Sequence, residues 1–352
     1  MLSRQPFRVA LLGCGRIAHV HAGYLRAIPE VELVGACDAS PEAREAFTRR
    51  WQIPTCASLR EMFGALQPEV VHVVTPPPTH APLAIELMRA GMHVMVEKPM
   101  AVSTREADRM LEVARETGRV LSVDHNRWFD PVMVEARQLL DSGDLGELVG
   151  VDVFCSLGEA EGESQAWKSA LPGGPVFDSA PHPVYLAYGL IGNVEQVQAT
   201  GKRDSRGVIH ELRAILQGDR AWATLTISSR ARPLANTVTL FGSRASAWVN
   251  LNHMTLVVRR QPQLPKLLAK VFPNLDEARQ LVVATARNTI EFLVGKQRFY
   301  PGIGHHLRAF YGALAQGRDV PVSPEDGRAV VALVEELWRL TGGELKVAEA
   351  AA

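Results

Sequence analysis

Residues 7–18 read FRVALLGCGRIA, and this stretch decides the fold. A short apolar run leads into two glycines, Gly13 and Gly15, and the small residue Ala18 follows in the first turn of a helical pattern. A second apolar run, residues 31–37, ends on Asp38. The order of strand, glycine turn, helix, strand and acidic residue is typical of a site that binds a dinucleotide.

Each small or acidic residue of this stretch has a physical role. Gly13 permits a sharp turn, and Gly15 lets a pyrophosphate approach the backbone. The backbone N–H groups of Arg16 and Ile17 would face the phosphates, because a helix N-terminus attracts negative charge. Asp38 is placed to hold the ribose hydroxyls of an adenosine. The alternative is a glycine-rich turn in another α/β fold.

Length and charge limit the class of protein. The 352 residues favour two domains. Lys+Arg and Asp+Glu both number 38 and no basic block stands out, so no nucleic-acid partner is expected. No apolar run is long enough to span a bilayer, and the first strand begins too early for a signal peptide. The four cysteines show no C-x-x-C spacing, which favours a cytoplasmic protein without zinc or disulfides.

Strand and helix patterns alternate up to about residue 125 and predict a doubly wound Rossmann domain over 1–125. The β-branched run at 70–74 stops at TPPP, residues 75–78. The next run ends at EKP, residues 97–99, and a further one is followed by DHNR, residues 124–127. Ligands bind at the carboxyl ends of strands in such sheets, so these segments are candidate site residues. For Glu97 and Lys98 the alternative is a solvated turn that carries an ion pair.

From about residue 150 the pattern changes to alternating strands joined by tight turns. It predicts an α+β domain over 126–352 with a mainly antiparallel, open-faced sheet and helices. The open face is expected to pair with a second copy, as a homodimer or homotetramer. Residues 264–300 predict a helical insertion of one short and one longer amphipathic helix. Its role could be a lid, packing against the sheet edge, or an oligomer contact.

Residue spacing alone allows an interpretation of two segments that contain histidine. Asp178 and His182 lie four residues apart at the start of an apolar helix, on one face. A carboxylate beside a histidine can orient the ring for general acid/base work. The alternative is a structural cap by Asp178, with His182 merely packed. The adjacent His305 and His306 would point to different faces of a helix, so no metal site is expected.

Four motifs together resemble the glucose–fructose oxidoreductase/inositol dehydrogenase (Gfo/Idh/MocA) family over nearly the whole chain. They are the turn Gly13-x-Gly15-x-x-Ala18, then Thr75-Pro76-Pro77-x-x-His80, then Glu97-Lys98-Pro99, and Gly173-Gly174 followed by Asp178-x-x-x-His182. The resemblance implies that Lys98 is catalytic and that Asp178 and His182 lie beside the substrate. It also implies a cis Lys98–Pro99 bond. The residues that it assigns to the cofactor site or its vicinity are Thr75, Pro76, His80, Glu97, Lys98, Asn126 and Arg127.

The resemblance implies an NAD-dependent oxidoreductase that acts on a secondary alcohol or ketone of a sugar, polyol or nucleotide-linked sugar. His182 would be the general base, oriented by Asp178, and Lys98 would polarise the substrate oxygen. Asp38 favours NAD over NADP because a carboxylate repels a 2′-phosphate, whereas the nearby cation Arg44 acts against this preference. The alternatives are cleavage of glycosidic bonds by transient use of NAD, and a non-enzymatic NAD-binding regulator.

Three positions depart from the family pattern. Pro175 and Ala180 stand where the family usually has glycines, and Tyr185 stands where an acidic residue is common. These departures leave the acid/base pair in place. They leave the substrate open, because this segment forms the substrate wall in the family. The direction of the reaction is also open, because reduction of a ketone is the same scheme reversed.

Overall fold

The computed structural model describes residues 5–158, 174–204, 208–295 and 299–342, which form two compact units. The first unit contains the described residues up to Asn126 together with Gly302–Ala332. The second contains the described residues from Arg127 to Pro301 and from Leu333 onward. The sequence assigns all of 126–352 to a second domain, so the return of residues 302–332 to the first unit is a difference from that expectation.

The first unit is built on a six-stranded parallel sheet. Its strands are β1 (Phe7–Leu12), β2 (Val31–Cys37), β3 (Thr55–Cys56), β4 (Val70–Val73), β5 (His93–Glu97) and β6 (Leu121–Asp124). They lie in the order β3-β2-β1-β4-β5-β6, and every neighbouring pair is parallel. The strand order reverses between β1 and β4, which is where ligands bind in such sheets. The predicted doubly wound Rossmann fold is therefore confirmed.

Helices alternate with these strands. They are α1 (Arg16–Leu25), α2 (Pro41–Trp51), α3 (Leu59–Glu61), α4 (His80–Arg89) and α5 (Thr104–Thr117). The hydroxyl of Ser40 accepts a hydrogen bond from the N–H of Ala43, and the hydroxyl of Ser103 accepts one from Glu106. Both helices thus begin at a side-chain cap that satisfies a backbone donor.

The second unit is built on a seven-stranded sheet. Its strands are β7 (Leu148–Ser156), β8 (Val194–Arg203), β9 (Ile209–Gly218), β10 (Trp222–Ser228), β11 (Asn236–Gly242), β12 (Ala245–Asn250) and β13 (Thr255–Arg260). The order is β13-β12-β11-β7-β10-β9-β8. All neighbours are antiparallel except β7 and β10. This confirms the mainly antiparallel sheet.

Among the described residues, four helices lie entirely within the second unit: α6 (Pro131–Asp141), α7 (Pro175–Ser179), α8 (Pro181–Ile191) and α9 (Lys266–Leu293). α8 covers one face of the sheet at β7, β9 and β10. Along β10, Ala223 and Leu225 on the covered face are buried, whereas Trp222 and Thr224 on the other face are exposed. Because side chains alternate along a strand, this pattern leaves one face of the sheet open at β10, as far as the described residues show.

The prediction of two helices within 264–300 is wrong, because the described part of this segment forms one helix of 28 residues, α9, with Pro273 inside it. An interior proline removes one backbone hydrogen bond and crowds the carbonyl four residues earlier, yet the helix continues on both sides of Pro273. The side chain of Gln280 bonds both the N–H and the C=O of Val258, at 2.8 and 2.9 Å. α9 therefore packs along the edge strand β13. None of the helices in the described ranges is long and apolar enough to cross a bilayer.

The chain ends its described part with α10 (Pro301–Ala315) and α11 (Pro324–Leu340). One face of α10 enters the core of the first unit beside Phe7, Val9 and Leu11 of β1. Its buried residues there are Ile303, Leu307, Phe310, Tyr311 and Leu314. A Cβ on Gly304 would lie 2.4 Å from the ring of Tyr24, so this glycine allows the close approach of α10 to α1. This apolar face explains why residues 302–332 belong with the first unit.

Candidate cofactor and catalytic site

The turn after β1 has the backbone that the glycine pattern predicts. Gly13 has φ +109°, and a Cβ there would lie 2.8 Å from the carbonyl oxygen of Val74. Either fact excludes a larger side chain. At Gly15 a Cβ would meet no heavy atom within 4 Å, so the space in front of this residue is open. α1 begins directly after Gly15 without a side-chain cap or an acidic residue in its first turn. An anion could therefore approach these backbone N–H groups.

Asp38 is fixed across this turn. One carboxylate oxygen, Oδ2, accepts a hydrogen bond from the N–H of Cys14 at 2.7 Å, and Oδ1 accepts one from Ser40 at 2.8 Å. Nη1 of Arg44 donates to the backbone oxygens of Asp38 and Ala39, at 2.7 and 3.0 Å. The carboxylate is thus held next to the glycine turn, while one nitrogen of the neighbouring cation is used by the backbone.

His80 connects two loops of the site. Its ring is buried, with Nε2 2.7 Å from the oxygen of Thr75 and Nδ1 2.8 Å from the oxygen of Pro99. Burial lowers the pKa of His80, and the two carbonyl contacts act in the opposite direction. The ring therefore lies between two backbone carbonyl oxygens, each of which can accept a hydrogen bond from a ring nitrogen that carries a hydrogen. His80 ties the loop after β4, with Thr75 and Pro76, to the turn after β5.

Glu97 ends β5 at this same edge, and Lys98 follows it. The Lys98–Pro99 peptide bond is cis. The N–H of Lys98 donates to Oε2 of Glu97 at 3.2 Å. The Glu97 side chain is 13% exposed, and its Oε1 lies 3.3 Å from Nε2 of His21. The pairing of Glu97 with a buried histidine does not fit the alternative of a solvated turn.

A buried histidine cluster lies behind Glu97, and sequence reasoning missed it. We define it as His21, His72, Glu97, Asp124, His306 and Tyr311. Nδ1 of His21 lies 3.0 Å from Nδ1 of His72, whose Nε2 lies 2.7 Å from the hydroxyl of Tyr311. Nδ1 of His306 lies 2.8 Å from Oδ1 of Asp124. The available signal was His72, a titratable residue in the middle of the apolar run of β4.

Asn126 and Arg127 follow β6 in a short 3-10 turn, Asn126–Phe129. Asn126 is buried and belongs to the first unit. Arg127 belongs to the second unit, where its Nη1 lies 3.1 Å from Oδ2 of the buried Asp130. The neighbouring Trp128 packs edge-on against Tyr185, with ring centroids 5.6 Å apart. Tyr185, which departs from the family pattern, is therefore a packed interior side chain.

Asp178 and His182 lie in the second unit, on α7 and α8. The residue between the helices, Ala180, has helical φ −54° and ψ −35°. The two side chains therefore keep the spacing of one helical face. Asp178 is buried and His182 is half-buried. α8 begins at Ala180 without a side-chain cap, so Asp178 does not act as the cap of this helix.

Family models match most of the chain. Residues 7–125 match the model described as "Oxidoreductase family, NAD-binding Rossmann fold", and residues 133–248 match "GFO/IDH/MocA C-terminal domain". The chain belongs to the Gfo/Idh/MocA family. Its first unit is the NAD-binding Rossmann domain of that family. The resemblance drawn from the four motifs is thereby confirmed.

Individual relatives agree with this assignment. D-glucoside 3-dehydrogenase of Escherichia coli (strain K12) is 29% identical over 229 residues, which is 60% of this chain and 63% of the relative. Inositol 2-dehydrogenase of Rhizobium meliloti (strain 1021) is 33% identical over 148 residues, 42% of this chain and 44% of the relative. The chain thus spans less than two thirds of the length of these two relatives.

A solved structure shows the same fold. The WlbA dehydrogenase from Bordetella pertussis, in complex with NADH and UDP-GlcNAcA, has a TM-score of 0.75 at 21% identity, with 97% of each chain covered.

Proposed function

We propose that this protein is an NAD-dependent oxidoreductase that transfers a hydride between nicotinamide and a secondary alcohol or ketone. The substrate would be a sugar, a polyol or a nucleotide-linked sugar. The observation that carries the proposal is Lys98, which follows β5 at the same sheet edge as the open glycine turn, with its N–H held by Glu97. Relatives named as D-glucoside and inositol dehydrogenases support the substrate class.

The residues of the first unit fit NAD. The open space at Gly15 and the uncapped start of α1 suit a pyrophosphate, held by the N–H groups of Arg16 and Ile17. Asp38 keeps lone pairs for ribose hydroxyls after accepting its two backbone hydrogen bonds. Thr75 and Pro76, at the end of β4, would form the wall toward the nicotinamide end. We assign Glu97 and His80 to the support of this wall, because their polar atoms bond within the protein.

Lys98 and His182 would both act on the substrate hydroxyl group. His182 would take the proton as the general base, and Asp178 would orient its ring. Lys98 would stabilise the negative charge that develops on the oxygen. Asn126 and Arg127 would contact the nicotinamide or the substrate. The bound cofactor supplies the hydride acceptor or donor.

A direct test is a panel of sugars, polyols and nucleotide sugars incubated with the protein and NAD. Formation of NADH with at least one member supports the proposal. Release of a sugar from a glycoside without net NADH points to the glycoside-cleaving alternative. NAD binding, measured by calorimetry, with no turnover of any member favours the regulator. Absence of NAD binding contradicts all three functions.

Asp38→Ala is expected to weaken NAD binding by about 10- to 100-fold, because charge-assisted hydrogen bonds to the ribose are lost. Binding of NADP should weaken less, so discrimination between the two cofactors falls. Calorimetry of both cofactors measures this change. Asp38→Asn, which retains an acceptor for the backbone, separates loss of charge from disruption of the turn. Glu45→Ala, at an exposed residue of α2, is the control. Unchanged cofactor preference in both Asp38 variants would exclude Asp38 as the ribose ligand.

The open face of the second sheet suits a second copy of this chain. Trp222 on β10 is 54% exposed and Phe241 on β11 is 41% exposed, and both side chains lie on this face. Burial of such aromatic side chains stabilises protein interfaces. We propose a homodimer or homotetramer formed through this face, which sedimentation velocity can test.

A cytoplasmic location remains our proposal, supported by the four free thiols of the chain.

A further inference from the structure

We propose that His21 is a positioning residue: a buried imidazolium between Glu97 and Asp124 that fixes Glu97 and, through it, the backbone of Lys98. The role of Lys98 in this inference rests on the proposed function, whereas the charge of His21 does not. The residues that carry the inference all belong to the first unit.

The geometry calls for a cation or a proton at this place. Glu97 and Asp124 are direct partners in the register of β5 and β6, so their side chains project side by side. Nε2 of His21 lies 3.3 Å from Oε1 of Glu97 and 3.3 Å from Oδ2 of Asp124. Two neighbouring carboxylates with little exposure repel each other unless a cation or a proton lies between them. The His21 ring is the group in that position.

Each carboxylate uses its second oxygen elsewhere. Oε2 of Glu97 accepts the N–H of Lys98, and Oδ1 of Asp124 lies 2.8 Å from Nδ1 of His306. Glu97 therefore bridges the His21 ring and the Lys98 backbone. Without His21, one end of this bridge is lost and the Glu97 carboxyl can rotate away from Lys98.

The balance of burial and hydrogen bonding agrees with a charged ring. Burial alone would lower the pKa of His21, but its contacts with the Asp124 and Glu97 carboxylates outweigh burial and raise the pKa to about 9. For Asp124, burial is also outweighed, because the bonds from His21 and His306 hold its pKa well below the usual range. Burial raises the pKa of Glu97, and the hydrogen bond from His21 opposes that rise.

The charge on His21 sets the direction of a chain of hydrogen bonds. Burial keeps the pKa of His72 well below its ordinary value, so this ring is neutral. A protonated His21 donates from Nδ1 to Nδ1 of His72, which leaves the hydrogen of His72 on Nε2, facing Tyr311. If His21 loses that proton, His72 must carry its hydrogen on Nδ1, and its Nε2 must accept a hydrogen bond from the hydroxyl of Tyr311. Burial raises the pKa of Tyr311 well above its ordinary value, so this hydroxyl keeps its proton. The tautomer of His72 therefore reports the charge of His21.

A metal ion is the competing occupant. One ligand atom from each of His21, Glu97 and Asp124 lies within 4.8 Å of the others, a spacing that a divalent cation could use. A metal binds a neutral imidazole through a lone pair, which is the opposite protonation state. The titratable groups around His21 are His72 from β4, Glu97 and Lys98 from the end of β5, Asp124 and His125 from the end of β6, and His306 and Tyr311 from α10.

The charge of His21 can be measured without any enzyme assay. The full chain with ¹⁵N- and ¹³C-labelled histidine, with and without NAD, is titrated by NMR, and His21→Gln and His72→Gln assign the signals. We expect His21 to carry both ring protons at pH 7 and to titrate near pH 9, while His72 changes from the Nε2–H to the Nδ1–H tautomer. A neutral His21 at pH 7, or a stoichiometric metal ion in the purified protein, overturns the inference.

Stability should follow the same titration. The pKa of His21 is higher in the folded chain than its ordinary 6.5, so its contribution is fully present below that pH and is lost as pH rises through about 9. Unfolding midpoints of the wild type should fall over this window, and those of His21→Gln should not show that step. An identical pH profile for both proteins contradicts a charged His21.

Positioning is tested by kinetics once a substrate is known. His21→Gln is expected to lower kcat roughly 100-fold through misplacement of Lys98, with NAD affinity retained. The double variant His21→Gln/Glu97→Gln should recover part of the lost kcat, because it removes the carboxylate charge of Glu97 that His21→Gln leaves unpaired. His305→Gln, at an exposed residue of α10, is the matched control. Wild-type kcat in His21→Gln overturns the positioning role. If the wild type shows no dehydrogenase activity, the proposed function fails while the NMR result still decides the charge of His21.

Discussion

Replacing Lys98 by alanine is expected to lower kcat by about 1,000-fold while NAD still binds. The ammonium group would stabilise charge that develops on the substrate oxygen, and loss of such a group typically costs about 100- to 1,000-fold in rate. The hydrogen bond to the Glu97 carboxylate uses the backbone N–H of Lys98 and not its side chain, so the alanine variant should keep the fold of this turn. Initial rates with the substrate found in the panel, together with calorimetry of NAD, measure the two effects separately.

Two further variants sharpen this test. Lys98→Arg keeps the positive charge but changes its geometry, so it should recover only part of the lost rate. Lys270→Ala removes an exposed lysine of α9 and should leave kcat unchanged. Full activity in Lys98→Ala would remove Lys98 from the catalytic machinery.

His182→Asn is expected to lower kcat/KM by about 100- to 10,000-fold at neutral pH, because the general base is lost. The deficit should shrink at high pH, where hydroxide can take the substrate proton instead. Asp178→Asn should have a smaller effect, since it only orients the ring. Steady-state rates across pH measure both. His305→Asn is the control for replacement of an exposed histidine.

The pH dependence distinguishes the base from a merely structural histidine. If His182→Asn lost the same factor at every pH, the general-base role would not hold. An unaltered kcat/KM would exclude His182 from the reaction altogether.

Much of the first unit was predictable because its signals are local. The glycine turn and its acidic residue lie within one strand–helix–strand segment, and each small residue meets a steric limit that the structure shows at Gly13. The buried strands are short apolar runs in the sequence, and glycines, polar residues or prolines mark the carboxyl end of each run. A strand end singled out Lys98, and spacing singled out the Asp178–His182 pair. Only the resemblance to the family suggested a catalytic role for them, and that role stays a prediction.

The rest could not be predicted because it depends on contacts between distant segments. α10 shows an ordinary apolar stripe, and nothing in that stripe says which sheet it covers. His21 reads as one more residue of an amphipathic helix, and its charge appears only when Glu97 and Asp124 lie beside it. The apolar spacing within 264–300 predicted two helices, yet α9 continues as one helix through Pro273.

The place of α10 has a consequence for how the chain folds. The hydrogen bond between His72 and Tyr311 joins residues 239 positions apart, and Ile303, Leu307 and Phe310 complete the same core. Contacts of such long sequence separation slow folding, because a large loop must close before they form. During synthesis, the strands of the first unit leave the ribosome long before α10 does. The apolar surface that α10 covers therefore stays exposed during that time. Nascent chains of this protein should therefore depend on chaperones until α10 emerges.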